Sequence, residues 1–469
     1  MSLENNINLI RKIEDHLSAQ VPIRLGVNKK NELARLVYEI CRGRSVEPEQ
    51  VFIRIDLGGM VEKGKNGLFR RIKKALLKLR YPSMREGDDP HIMPFTVDKP
   101  VPEPEAWDFR ILPEKIYVER SVESVEWTGS FLSRFPEASV DIIDDPGQIL
   151  SSFTGKSQVE LYNERSRRIL VTKNRSGYVK PCPCTKNVHR CGYNILNLGF
   201  GCPMDCSYCY LQMYSNSPWL VFQANVDDYR APIEDFDARV GRRTRIGTGE
   251  FTDSLYLDKY TSYSSYLIPL FRQMRNLVLE LKTKTVDIEN VLRHEPHDNV
   301  VVSWSINTRK MARKYEKGAS SIDERIRAAS RAAARGFKVG FHFDPIIYYE
   351  GWEDEYRQTV EELFSNRDIL ENTEWMSLGT LRYTPGLKQV AEQRFGENRM
   401  YYAGEFFLGA DGKLRYPARL RSLMYNKMIE WIRAYPTSAW IYLCMEPDEI
   451  WGDTLLEKSD YSYGAKIRG

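Results

Sequence analysis

Six of the eight cysteines crowd between positions 182 and 209: Cys182, Cys184, Cys191, Cys202, Cys206 and Cys209. Within GCPMDCSYCYLQ, Cys202, Cys206 and Cys209 stand in a C-x3-C-x2-C arrangement. Three thiolates on one short loop suit three irons of a 4Fe–4S cubane and leave the fourth iron open to a small molecule. A structural zinc site wants four ligands, commonly two C-x2-C pairs. His189 is the nearest fourth candidate, so zinc stands as the alternative. Buried free cysteines rarely group this tightly.

PCPCTKNVHRCGY places Cys182, Cys184 and Cys191 just before that loop. Three readings stand open: an auxiliary metal site such as a second iron–sulfur cluster, a redox or hydrogen-donor thiol, or small buried side chains. Cys444 lies in the apolar run SAWIYLCMEP, as a fourth ligand, a donor thiol or a core residue. Cys41 sits on an apolar helical face and reads as core. A secreted protein would spread its cysteines as staples. A tight cluster behind the start MSLENNINLIRKIEDHL, which lacks a signal-peptide pattern, predicts a cytoplasmic protein.

These residues need elements to hold them. The 469 residues are 42% hydrophobic and 28% charged, which excludes wholesale disorder and rod-like classes. No apolar run approaches the roughly 18 residues of a membrane span. A net charge of +4 does not by itself argue for nucleic acid.

Residues 1–81 read as a small helical domain. Ile7, Ile10, Ile13 and Leu17 recur at helical spacing, as do Leu33, Leu36, Val37 and Ile40. VFIRIDL (51–57) alternates like a strand. In NGLFRRIKKALLKLR, Leu68, Ile72, Leu76 and Leu79 form an apolar stripe, and Arg70, Arg71, Lys73, Lys74, Lys78 and Arg80 crowd the other face. That face is either a solvated surface or a footprint for phosphates. Six prolines within 82–109 predict a linker. Residues 110–192 precede a barrel expected over 193–450, and 451–469 reads as a C-terminal tail.

Within 193–450, apolar runs at 193–200, 244–251, 277–284, 299–307, 337–347 and 374–383 alternate with helical patterns, and a seventh run lies at 438–447. The alternation predicts an α/β fold, a partial (β/α)6 barrel. In such barrels the chemistry sits at the C-terminal ends of the strands. Those ends carry the Cys202 loop, Glu250, Lys284, Ser305, Asn307, His342, Asp344 and Arg382.

The C-x3-C-x2-C loop after a barrel strand resembles the radical S-adenosylmethionine (SAM) superfamily. Within it the chain is similar to the spore photoproduct lyase group, the DNA repair photolyase-like radical SAM proteins. The segments that carry the resemblance include ILPEKIYVER (111–120), CSYCYLQ (206–212), FTDSLYLD (251–258), LKTKT (281–285), SWSIN (303–307) and DGKLRY (411–416). The resemblance implies a radical SAM barrel and a lyase-type enzyme. In that family a 4Fe–4S cluster cleaves SAM by one electron to a 5′-deoxyadenosyl radical. It implies SAM contacts at Glu250, Lys284, Ser305 and Asn307, with Thr248-Gly249-Glu250 standing for the family's Gly-Gly-Glu segment. It implies radical transfer through Tyr208 and Tyr210. It also implies an electron donor of the flavodoxin or ferredoxin type and nucleic acid, DNA first, as substrate.

One departure is visible. The lyase carries a hydrogen-donor cysteine just before its FTD segment, and here Glu250 aligns there. A carboxyl O–H bond is too strong to replace a thiol S–H as hydrogen-atom donor, so Cys444 enters as a replacement. The runner-up enzyme acts on a small molecule or peptide. A zinc-stabilised nucleic-acid-binding module represents a different class. Aromatic clusters at 260–266 and 401–407 are either packing or base-stacking platforms.

Overall fold

The computed structural model describes residues 3–21, 25–82, 90–91, 113–461 and 463, apart from the single positions 176, 186, 216, 397, 403, 404 and 410. The expected linker at 82–109 falls almost wholly outside them. The chain divides into two compact units, one of residues 1–101 with 399–417 and one of residues 102–398 with 418–469. Assigning all of 193–450 to the barrel therefore needs correction, because 399–417 belongs with the N-terminal helices.

In the first unit, helices Leu3–Gln20, Val27–Arg44, Pro48–Arg54, Leu57–Glu62 and Leu68–Arg80 enclose one core. Ile13, Leu17, Leu36, Ile40, Cys41, Leu68, Ile72 and Leu76 are buried in it, which makes Cys41 a core residue. Burying each such aliphatic side chain contributes about 1.5–3 kcal/mol. The strand expected at 51–57 is helical instead. Pro48 opens the helix at its first turn, and Val51, Phe52 and Ile55 are buried at helical spacing. Strands Phe406–Leu408 and Leu414–Arg415 pair antiparallel in this unit.

The second unit holds two sheets. Seven parallel strands lie side by side in chain order: Asn194–Leu196, Thr244–Gly247, Leu277–Thr283, Val300–Ser305, Lys338–Ile346, Thr373–Thr380 and Trp440–Leu443. They are called here the first to seventh strands. Strand Val179–Pro181 runs antiparallel along the outer edge of the first. The seventh and Val179–Pro181 strands form the two edges, so this is the expected partial barrel with the seventh run included. Its strands are apolar on both faces because helices such as Ile322–Ala334 and Trp352–Phe364 cover it.

The second sheet was not foreseen. Lys115–Glu119, Ser139–Ile143, Arg168–Thr172 and Leu220–Gln223 pair in parallel, and Gly199–Phe200 adds an antiparallel edge. A Cβ on Gly199 would stand 2.5 Å from the Val221 carbonyl, so only glycine fits there. The expected tail is partly core, since Trp451, Leu456 and Tyr463 are buried. Among the described residues no helix is long and apolar enough to cross a membrane.

Candidate active site

The C-terminal ends of the parallel strands carry the polar groups, and two arginines hold the cysteine loop. Arg165 is 1% exposed. It donates from Nε to the Cys202 carbonyl at 2.8 Å, from Nη2 to the Met204 carbonyl at 3.1 Å, and pairs with Asp205 at 2.5 Å. Its guanidinium stacks on Tyr162, 3.8 Å from the ring centre. Arg394 meets the same Asp205 oxygen at 2.6 Å and Gln212 at 3.0 Å. The two cations overcome burial and keep the Asp205 carboxyl below its ordinary range. The loop backbone is thus fixed before any ligand binds. Neither arginine belongs to a recognisable motif.

Burial pushes the thiols of Cys202, Cys206 and Cys209 up, and for Cys202 the charges of Asp253, Cys209 and Cys206 add to it. As thiolates these three need a cation among them, and a cubane supplies it. The donor set fits such a cluster. No three His, Cys, Asp or Glu side chains among the described residues converge as the shell of a single ion would. His189, the fourth ligand of the zinc reading, is turned elsewhere. Its Nε2 lies 2.7 Å from the Tyr461 carbonyl, and its Nδ1 lies 3.2 Å from Asp448.

The loop connects to a buried ionic network. Asp205–Cys206 pairs with Glu316–Lys317 as a short antiparallel ribbon. The Tyr208 hydroxyl donates to Glu316. Lys284 Nζ lies 2.9 Å from Glu316 and 3.2 Å from the Tyr208 oxygen. Arg325 pairs with the other Glu316 oxygen at 2.6 Å and donates to the Ser305 carbonyl at 2.9 Å. Burial would raise the Glu316 carboxyl, but Arg325 and Lys284 bring it down to about 2. Glu316 has no counterpart in the sequence reading, although it ties together Lys284, Tyr208 and the end of the fourth strand.

Asp253, inside the FTD segment, fastens the second strand's end to the third. Its carboxylate accepts from the Leu255 and Tyr256 amides at 3.0 and 2.9 Å, from Thr283 at 2.7 Å and from the Lys284 amide at 2.8 Å. A Cβ on Gly249 would stand 2.9 Å from that of Lys282, which explains glycine beside Glu250. Glu250 itself faces Lys282 at 3.8 Å.

Elsewhere the expected residues divide. Asn307 is buried and engaged, donating to the Pro345 carbonyl at 3.1 Å and accepting from Tyr356 at 2.7 Å. Tyr210 donates to the Arg382 carbonyl at 3.4 Å. Arg382 grips Asp344 through two bonds of 3.1 and 3.0 Å and lies 3.5 Å from the Cys444 sulfur. Burial and Asp344 push the Cys444 thiol well up. His342 meets Glu280 at 2.6 Å inside the barrel, where Ser303 also donates to Glu280 at 2.6 Å. The Cys184 thiol is brought down to about 7 by the hydrogen bond from Cys182, and the half-buried Cys191 accepts from Arg245 at 3.8 Å. Tyr263, Tyr401 and Phe406, drawn from the two aromatic clusters, are buried packing residues.

The model of the spore photoproduct lyase family matches residues 111–415. The chain belongs to that family. It is 29% identical over 206 residues to spore photoproduct lyase of Geobacillus sp., a match spanning 43% of this chain and 60% of that protein. It is 23% identical over 312 residues to the lyase of Bacillus subtilis, spanning 64% and 89%. A solved spore photoproduct lyase mutant with bound AdoMet and dinucleoside spore photoproduct superposes with a TM-score of 0.60 at 24% identity. That superposition covers 71% of this chain and 99% of the other. The shared fold is the half-barrel just described. This member of the spore photoproduct lyase family has a helical N-terminal unit whose described helices lie before the matched region, while the match takes in residues 399–415 of the same unit.

Proposed function

We propose that this chain is a radical SAM lyase that repairs a DNA lesion of the spore photoproduct type. The observation that carries the reading is the C-x3-C-x2-C loop at the end of the first strand, locked by Arg165 inside a stretch matching the lyase family. Cys202, Cys206 and Cys209 would hold a 4Fe–4S cluster, which supplies the electron that cleaves SAM. Every other task falls to side chains. Glu250, Lys284 and Ser305 surround the strand ends as SAM contacts, with Asp253 fixing the backbone that carries Lys284. Asn307 serves the same site by positioning, since its amide is committed to Pro345 and Tyr356.

Glu316 and Lys284 hold the Tyr208 hydroxyl, which suits that side chain to radical transfer; Tyr210 lies beside Arg382 in the same role. Cys444 is the donor thiol of this reading, because Glu250 cannot be one and Arg382 and Asp344 fix the Cys444 sulfur at a strand end. The electrons come from a flavodoxin- or ferredoxin-type reductant. Eight free cysteines support a reducing compartment, the cytoplasm. Cys182, Cys184 and Cys191 carry a proposal of their own.

The test is anaerobic turnover of dinucleoside spore photoproduct with reductant and SAM. Repaired dinucleoside with 5′-deoxyadenosine supports the reading. SAM cleavage that leaves the lesion untouched points to a small molecule or peptide instead.

A further inference from the structure

The three cysteines outside the C-x3-C-x2-C loop share one cavity. Cys182, Cys184 and Cys191 line a space of about 410 Å³ beside Asn194 and Thr244, which open the first and second strands. Arg190, Arg242 and Arg245 line it too, and no Asp or Glu side chain does. Arg245 is 2% exposed, and its Nε and Nη1 have no hydrogen-bond partner. Its remaining Nη2 points to the Cys191 sulfur at 3.8 Å.

A buried guanidinium without an acceptor costs free energy unless negative charge arrives beside it. Part of that compensation is built in: Glu280 acts on the guanidinium, and the rings of Trp375 and Tyr442 lie 4.7 and 4.6 Å from it. On the cavity side its neighbour is the Cys191 thiol, so an occupant ligated by these cysteines is thiophilic, and the arginines favour one that is anionic with its ligands. Soft thiolates select zinc, copper(I) and iron–sulfur clusters. A zinc ion needs its donors to converge on one point, and no three of them do so among the described residues. Donors of a cubane stand further apart, and the Cys202, Cys206 and Cys209 set shows the same lack of convergence. A thiolate-ligated iron–sulfur cluster is anionic, and N–H groups directed at its sulfurs are the usual outer partners. Arg245 is placed as such a partner.

We infer that Cys182, Cys184 and Cys191 hold a second iron–sulfur cluster, with Arg245 compensating its charge. Cys444 does not line the cavity, and its sulfur is engaged by Arg382 beyond the seventh strand, so the ligands assigned here are these three thiolates. The inference involves neither SAM nor substrate, so it stands or falls apart from the repair reading.

The experiment counts iron and sulfide in the full chain after anaerobic reconstitution. The parent should hold about eight irons, two cubanes' worth. The Cys202→Ala, Cys206→Ala, Cys209→Ala variant should keep about four, with a Mössbauer spectrum of iron–sulfur type. Because that variant could fail to fold, the complementary one is decisive: Cys182→Ser, Cys184→Ser, Cys191→Ser should lose half the iron and still produce 5′-deoxyadenosine. A parent holding only about four irons, none of them lost in the complementary variant, overturns the inference. So does zinc in place of iron at these cysteines, or three thiols that stay freely alkylated after reconstitution.

Discussion

Glu405 in the helical unit and Glu316 in the barrel unit are both nearly fully buried carboxylates, and they end in opposite charge states. Among the described residues Glu405 pairs with one cation, Arg80, at 3.1 Å. Burial and the charge of Glu39 outweigh Arg80, the Tyr81 hydroxyl and the charge of Arg35, and push its carboxyl up to about 7. Glu316 meets two cations, Lys284 at 2.9 Å and Arg325 at 2.6 Å, plus the Tyr208 hydroxyl, and is held down to about 2. Burial alone therefore does not set the charge of an interior carboxylate; the balance of surrounding cations and anions does. The barrel invests two cations to keep a fixed negative charge beside the cysteine loop. The helical unit instead contains a group that binds a proton near neutrality.

Removing the Glu316 charge should give the largest effect. Glu316→Gln leaves Arg325 and Lys284 buried without their anion and should cost about 3–5 kcal/mol in urea unfolding. Glu405→Gln should cost less than about 1 kcal/mol at pH 6, where the native group is already largely protonated. Equal losses would break the contrast. Next in size is Arg165→Lys, which keeps a charge but loses the fork over the Cys202 and Met204 carbonyls. It should cost about 2–3 kcal/mol and lower reconstituted iron, read by unfolding and by iron assay.

The pH dependence sharpens the same comparison, with effects on the order of 1–3 kcal/mol. Glu405 binds its proton more tightly folded than unfolded. Its contribution is full below about pH 4.5 and declines as pH rises toward 7. Glu316 does the reverse: its contribution is full above about pH 4.5 and declines as pH falls toward 2. Hydrogen exchange across pH, read separately for the two units, should show opposite slopes that vanish in the respective Gln variants.

The smallest effect concerns the basic helix. Its six cations are not equivalent. Arg71 caps the Gly64 and Asn66 carbonyls at 2.5 and 2.6 Å, Lys73 pairs with Glu32 at 2.5 Å, and Arg80 pairs with Glu405. Arg70, Lys74 and Lys78 are exposed along one stripe. Replacing those three by alanine should leave stability within about 0.5 kcal/mol and flatten the log–log salt dependence of DNA binding by roughly two to three units. An unchanged slope removes the helix from any nucleic-acid contact.

Much of the barrel was legible because its strands are short β-branched runs buried on both faces, with polar residues at their ends. The helix at 48–54 was misread because Val51, Ile53 and Ile55 alternate as a strand would, while Ile53 points to solvent and Phe52 to the core. The sheet built on 115–119 and 168–172 was missed because its last parallel strand, 220–223, enters only after the cysteine loop. Arg165, Arg394 and Glu316 were invisible for a simpler reason. Each is one charged residue that also reaches a partner some 30 or more positions away, Asp205 for the two arginines and Lys284 for Glu316, and no spacing rule marks it. Residues 399–417 lie inside the stretch assigned to the barrel yet belong with helices more than 300 positions earlier, a pairing only the folded chain reveals.

The most direct measurement is 5′-deoxyadenosine formation from SAM by the anaerobically reconstituted, dithionite-reduced chain, beside its Cys202→Ala, Cys206→Ala, Cys209→Ala variant. The account predicts steady formation by the parent and only background by the variant. Equal formation by both, or none by a parent that carries its full iron, would contradict it.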